Sequence, residues 1–134
     1  MKKKVVILHN QIFSNTLDEL DVIHQRDLVK MACEKLNYQV TCLTIGNNLT
    51  IDIDTVEKEN PTIVFNLVEA TLGKGELIYF APALLNALKI SYTGVPLDAL
   101  FITTNKVLAK KIMQFNNLPT ADFFSINEFQ KLNP

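Results

Sequence analysis

Two nearly unbroken apolar runs, Val5-Val6-Ile7-Leu8 and Thr62-Ile63-Val64-Phe65, constrain this chain more than any other feature of it. A strand with one wet face alternates apolar and polar residues. A run without alternation is covered on both faces, as in parallel sheets packed between helices. The second run ends at Asn66, and Val68-Glu69-Ala70-Thr71-Leu72-Gly73-Lys74-Gly75-Glu76 follows as a loop with two glycines bracketing a lysine. In open α/β sheets ligands bind beyond the carboxyl ends of the strands. That puts Asn66, Glu69 and Lys74 where such a fold does its chemistry. The plainer reading is a strand-to-helix turn that needs glycine for a positive φ.

The remaining pattern fits the same frame. Strand one spans Lys3 to Leu8, and His9 to Thr16 is a polar loop. Helical spacing then runs from Leu17 or Asp18 to about Leu36, with Leu20, Leu28, Met31, Ala32 and Leu36 in one arc expected to face the core. Thr16 is the expected N-cap, and Asp18 and Glu19 fall in the acidic first turn. His24 lies inside the apolar arc and reads as a hydrogen-bonded boundary residue. Gln39 to Ile45 is strand two, Ile51 to Glu59 a short helix, and Asn60-Pro61 its end. Glu76 to Leu88 keeps helical period, with Pro82 demanding a kink or a late start. Lys89 to Tyr92 is a short fourth strand. Val95 to Phe101 is helical with Pro96 in its first turn, and Asn105 to Asn116 is helical again. Ala121 to Ser125 is a candidate strand. Ser125 and Glu128 stand at capping-box spacing for a last helix. The order β-α-β-α-β-α-β-α predicts a three-layer, Rossmann-like α/β domain with a mostly parallel sheet. A chain of 134 residues makes one domain, 1–134, the expectation, and 48% hydrophobic residues suffice for a core.

Several functions are excluded. A formal net charge of -1 offers no basic face for nucleic acid. The Lys2-Lys3-Lys4 cluster reads as the solvated flank of strand one. The apolar run behind it is too short for a secretory signal, no run approaches a membrane span, and Cys33 and Cys42 read as buried thiols. A cytoplasmic protein is expected. No Gly-x-Gly-x-x-Gly follows strand one, and no phosphate-binding Gly-x-x-x-x-Gly-Lys-Ser/Thr occurs. Asn66 ends strand three where a phospho-receiver needs a carboxylate. No Gly-x-Ser-x-Gly occurs, and His9 and His24 lack metal-ligand spacing. Chemistry alone leaves an α/β domain with a polar rim of Asn10, Asn66, Glu69 and Lys74.

A further series runs in order: Phe65-Asn66-Leu67-Val68-Glu69, Gly73, Ile90-Ser91-Tyr92-Thr93-Gly94, Asn105-Lys106, Lys110 and Leu118-Pro119-Thr120. It resembles the D-alanine–D-alanine ligase branch of the ATP-grasp enzymes. Their first domain reads Phe-Asn-x-x-His/Glu, a Gly-rich stretch, Ile-Pro-Tyr-Thr-Gly, Asp-Lys-x-x-Thr-Lys and Gly-Ile/Leu-Pro-Thr-Pro. The match is close over the last two-thirds of the chain and loose over the first. The resemblance implies an N-terminal (pre-ATP-grasp) domain contributing to the first amino-acid site and to a homodimer. It also implies ATP and Mg²⁺ as cofactors of a full-length enzyme that joins two amino acids through an acyl phosphate, in cell wall biogenesis. No metal site and no tightly bound cofactor are expected on this chain.

Carried over residue by residue, the resemblance places Lys106 at the lysine that reaches nucleotide phosphates; an exposed helix lysine is the alternative. An ammonium neutralises phosphate as a point cation. Asn105 and Ala109 replace that motif's Asp and Thr, and Lys110 reads as structural. Glu69 stands where the ligases often carry a substrate-contacting His, to bind a substrate ammonium or to cap a helix. Asn66 orients the loop or simply ends the strand. Lys74 and Gly75 replace the usual acidic pair. The family's glycine-rich first loop carries a substrate-placing Glu; Asp18 aligns with it, although helix capping explains Asp18 equally well and the loop glycines are absent. The chain stops at Leu132-Asn133-Pro134, about where the family's ATP-binding domain would begin. That domain would come in cis or as a partner chain, and negligible ligase activity is expected from the chain alone. A stand-alone binding or dimerisation module of the same fold is the rival reading.

Overall fold

The computed structural model describes residues 3–12 and 17–132. Three parallel strands form the sheet in the order β2-β1-β3: β1 (Lys4–Asn10), β2 (Gln39–Ile45) and β3 (Ile63–Leu67). In register, Val6 lies between Thr41 and Val64, and Leu8 between Leu43 and Asn66. Successive side chains take opposite faces. On one face Val6, Leu8, Ile45 and Val64 pack against Ile53 and Val56 of α2 (Leu49–Glu59) and Ala81 and Leu85 of α3 (Phe80–Ala87). Val5, Ile7, His9 and Cys42 take the other face. There His9 and Cys42 both feel the charges of Arg26 and Asp27 on α1 (Leu17–Lys35). Helices therefore cover both faces, which is why Val5 through His9 are all buried.

Several expectations change. The apolar arc assigned to the core side of α1 points the other way: Leu28 is 63% and Leu36 71% exposed, while Val22 is 2% exposed. Val22, Arg26, Val29 and Cys33 form the inward stripe, each of them buried or half-buried. Two of these are not strongly apolar, so counting large hydrophobes selected the wrong face. Thr16 lies outside the described residues. Lys4 is not loose flank: its Nζ donates to the Glu59 carbonyl at 3.1 Å and meets the Glu59 carboxylate at 3.5 Å, a cation at the C-terminus of α2.

The fourth strand reduces to one parallel bridge between Val64 and Tyr92. Val64 N–H donates to the Ser91 carbonyl and Thr93 N–H to the Val64 carbonyl, while positive φ at Lys89 and Gly94 ends the extended stretch on either side. The third helix starts late. A short 3₁₀ turn, Gly75–Leu77, precedes α3, which puts Pro82 in the first turn, where its missing N–H costs no intrahelical bond. Pro96 is the N-cap of α4 (Leu97–Thr104) rather than a member of it. α5 spans Lys106–Phe115. Ala121 to Ser125 forms no strand among the described residues. The capping box before α6 (Ile126–Leu132) does form: Ser125 N–H and Oγ donate to the Glu128 carboxylate at 2.8 and 2.6 Å, and Glu128 N–H returns to Ser125 Oγ at 3.3 Å.

Candidate functional site

With β2 and β3 on opposite sides of β1, the chain leaves β1 toward one edge of the sheet and returns to the other. The switch lies between β1 and β3, where doubly wound sheets open a crevice at the carboxyl ends. His9 and Asn10 end β1 there, and Asn66 and Leu67 end β3. The two ends are tied together. Glu69 N–H donates to Asn10 Oδ1 at 3.3 Å. Asn66 Oδ1 accepts Val68 N–H at 3.2 Å, an Asx-type turn that swings the chain out of the strand. Asn66 N–H in turn donates to Thr93 Oγ1 at 3.2 Å, so the Ile90–Gly94 segment braces the same turn.

The site thus rests on hydrogen bonds between residues far apart in the chain. Asn66 works as the loop-orienting residue. Glu69 caps no helix in the described residues; its side chain is exposed and joins no ion pair there. His9 is buried, and burial pushes its imidazole below the ordinary value of 6.5. The Asn10 carbonyl, 3.0 Å from Nδ1, can only accept, so Nδ1 carries the proton. On the far side, Gln11 N–H donates to the Ile45 carbonyl at 2.9 Å, and a Cβ on Gly46 would run into the Gln11 side chain. The Gln11 side chain therefore lies directly over Gly46.

Beyond Glu69 the loop turns back through Thr71-Leu72-Gly73-Lys74. Thr71 and Lys74 exchange both backbone hydrogen bonds, and Leu72 and Gly73 have φ of 55° and 69°. Positive φ at both central positions marks a type I′ turn. Glycine at Gly73 was legible in the sequence; a leucine sharing the left-handed region was not. Thr71 is fully buried, and its Oγ1 has no hydrogen-bond partner among the described residues.

Lys106 lies elsewhere, at the first position of α5, where it lines an open cleft of about 470 Å³ with Glu76, Tyr79, Phe101 and Thr104. Tyr79 and Phe101 meet edge to face at 5.0 Å and hold α4 against the start of α3. Asn105 Oδ1 caps α5 by accepting Leu108 N–H at 3.0 Å, which is the task an Asp would perform there. Lys110 is structural: its Nζ donates to Thr120 Oγ1 and the Ala121 carbonyl at 2.9 and 2.8 Å and sits 5.5 Å from the Phe123 ring centroid. Lys74 is exposed in the hairpin turn. Asp18 falls in the first turn of α1, and its side chain lies outside those described. Asn66 and Glu69 are therefore brought together with Asn10, and Lys106 stands in a second cleft. Asn10 sat in the expected polar rim, yet its bond to Glu69 could not be read from the sequence, because it depends on β3 lying beside β1. No group of three or more His, Cys, Asp or Glu among the described residues is placed to hold a metal.

No protein-family model matches the chain. A D-alanine–D-alanine ligase from Zymomonas mobilis is 30% identical over 118 residues, which is 88% of this chain and 34% of that protein. The chain is a relative of the D-alanine–D-alanine ligases. The Rickettsia typhi D-alanine–D-alanine ligase is 27% identical over 105 residues, 78% of this chain and 31% of the relative. The chain thus spans about a third of the length of the curated relatives it matches. Among solved structures, the D-alanine–D-alanine ligase of Bacillus anthracis superposes with a TM-score of 0.65 at 18% identity, covering 99% of this chain and 44% of that one. The same enzyme complexed with ATP gives 0.64 at 15% identity. These likenesses show the fold, and it is the N-terminal fold of the D-alanine–D-alanine ligases.

Proposed function

We propose that the chain is the N-terminal, substrate-side domain of an ATP-dependent carboxylate–amine ligase of the D-alanine–D-alanine type. The observation that carries this is the β1/β3 crevice, where Asn66 and Asn10 fix the backbone around an exposed Glu69 in a chain related to those ligases. Glu69 offers a carboxylate to the ammonium of the first amino acid, and Asp18 is the second carboxylate assigned to that substrate. Neither residue carries out the phosphoryl transfer. Lys106 fits a phosphate, since an ammonium at a helix N-terminus adds its charge to the helix dipole. ATP would supply the activation of the first carboxylate, with Mg²⁺ neutralising its phosphates. The acidic ligands for that metal would come from the ATP-binding part, in cis or as a partner chain. The domain would work in the cytoplasm, in cell wall biogenesis, and as a homodimer.

On this reading the chain alone binds an amino acid weakly and turns over no ATP, because no preorganised charge surrounds the transferring phosphoryl group. The test is a ¹H–¹⁵N spectrum titrated with D-alanine, paired with an assay for phosphate release from ATP. Saturable shifts at residues 66–69 without phosphate release are expected. Absent shifts would sink the substrate-side reading, and sustained ATP turnover would sink the predicted inactivity.

A further inference from the structure

The Asn10–Glu69 hydrogen bond does more than join two loops. A backbone N–H only donates, so the Asn10 atom facing it must be Oδ1, and the orientation of the whole amide follows. The backbone of Asn10 is fixed as well. Asn10 is the last residue of β1, in register with Ile45, and its carbonyl takes the Nδ1 proton of the buried His9. The chain leading to Glu69 is fixed through the Asn66 turn, which bonds Val68 N–H, and through the brace of Asn66 N–H to Thr93 Oγ1. The result is a neutral donor, Nδ2, on a strand end whose amide oxygen is tied to the backbone of Glu69, a residue with an exposed carboxylate at the mouth of the crevice.

Those two groups match the two ends of a zwitterion. A carboxylate alone attracts an ammonium group and repels the acid group beside it. A neutral amide N–H on the adjoining strand end donates to the acid group without adding a cation that would compete for Glu69. We propose that Asn10 is a recognition and positioning residue of this site. Its Oδ1 fixes the Glu69 backbone, and its Nδ2 donates to the carboxylate of an amino acid whose ammonium Glu69 receives. This deepens the reading of the preceding section and rests on it.

Three proteins separate the parts of the proposal: the 134-residue chain, Asn10→Ala and Asn10→Asp. Aspartate keeps an acceptor for Glu69 N–H and replaces the donor with an anion; alanine removes both. The probes are D-alanine and D-alaninamide, which lacks the carboxylate, followed in ¹H–¹⁵N spectra. Without ligand, the Glu69 amide should exchange faster in Asn10→Ala and stay protected in Asn10→Asp. D-Alanine should bind both variants about tenfold or more weakly than the parent, as for a lost hydrogen bond to a charged group. D-Alaninamide should bind Asn10→Asp at least as well as the parent. If the parent binds D-alanine and both variants bind it equally well, the role of Asn10 is overturned while the site stands. If only Asn10→Ala weakens, recognition by Nδ2 is overturned. If the parent shows no shifts at 66–69, the site and this inference fall together. Should Asn10→Ala not fold, Asn10→Asp decides alone.

Discussion

At the scale of single residues, the site region contains groups that stability alone would not choose. Thr71 buries a hydroxyl with no partner among the described residues. Leaving such a group unpaired costs about 1–3 kcal/mol. Thr71→Val keeps the shape and removes the hydroxyl, so it should raise the melting temperature, while a fall would reveal a bound water. His9 gives a pH test. Burial lowers its pKa in the folded chain below 6.5. Its contribution is therefore present above that value and lost as pH falls through the folded pKa, since the unfolded chain takes up a proton the folded one resists. Urea midpoints measured at several pH values should drop in acid, and His9→Gln should flatten that part of the slope. His9 and Thr71 were both visible as residues. Their burial was not, since it comes from α1 over one and the hairpin turn around the other.

At the scale of elements, caps were readable and faces were not. The Ser125–Glu128 box formed as its spacing implied, because it depends on four consecutive residues. Its hydrogen bonds hold the Glu128 carboxyl below the usual range, so α6 keeps this cap until more acidic pH than an unbonded Glu would allow. Asn105 belongs to the same class. Asn105→Ala should cost about 1 kcal/mol by removing the cap on α5, and Asn105→Asp should cost little; chemical denaturation reads both. The outward turn of the Leu20, Leu28 and Met31 stripe on α1 could not be predicted from period. Two stripes of α1 have helical spacing, and packing against the sheet buries the one that holds Val22 and Cys33.

At the scale of the whole molecule, the principal hydrophobic cluster lies on the face of the sheet covered by α2 and α3. Leu85 is fully buried against Val6, Leu8 and Val64. Leu85→Ala should cost about 2–5 kcal/mol, read as a lower denaturation midpoint. That loss would also loosen β3 and should weaken the D-alanine binding proposed for the crevice. Local pattern in the chain was enough to read a parallel α/β domain, the places where β1, β2 and β3 run, and the position of Asn66 and Glu69 after the end of a buried strand. Those conclusions need only local apolar runs, turn residues and caps, whose physics spans a few neighbours. Only the tertiary structure decided the order β2-β1-β3, the single bridge in place of a fourth strand, the outward face of α1 and the meeting of Asn10 with Glu69. Each depends on which distant surfaces bury one another, and a one-dimensional pattern does not specify that choice.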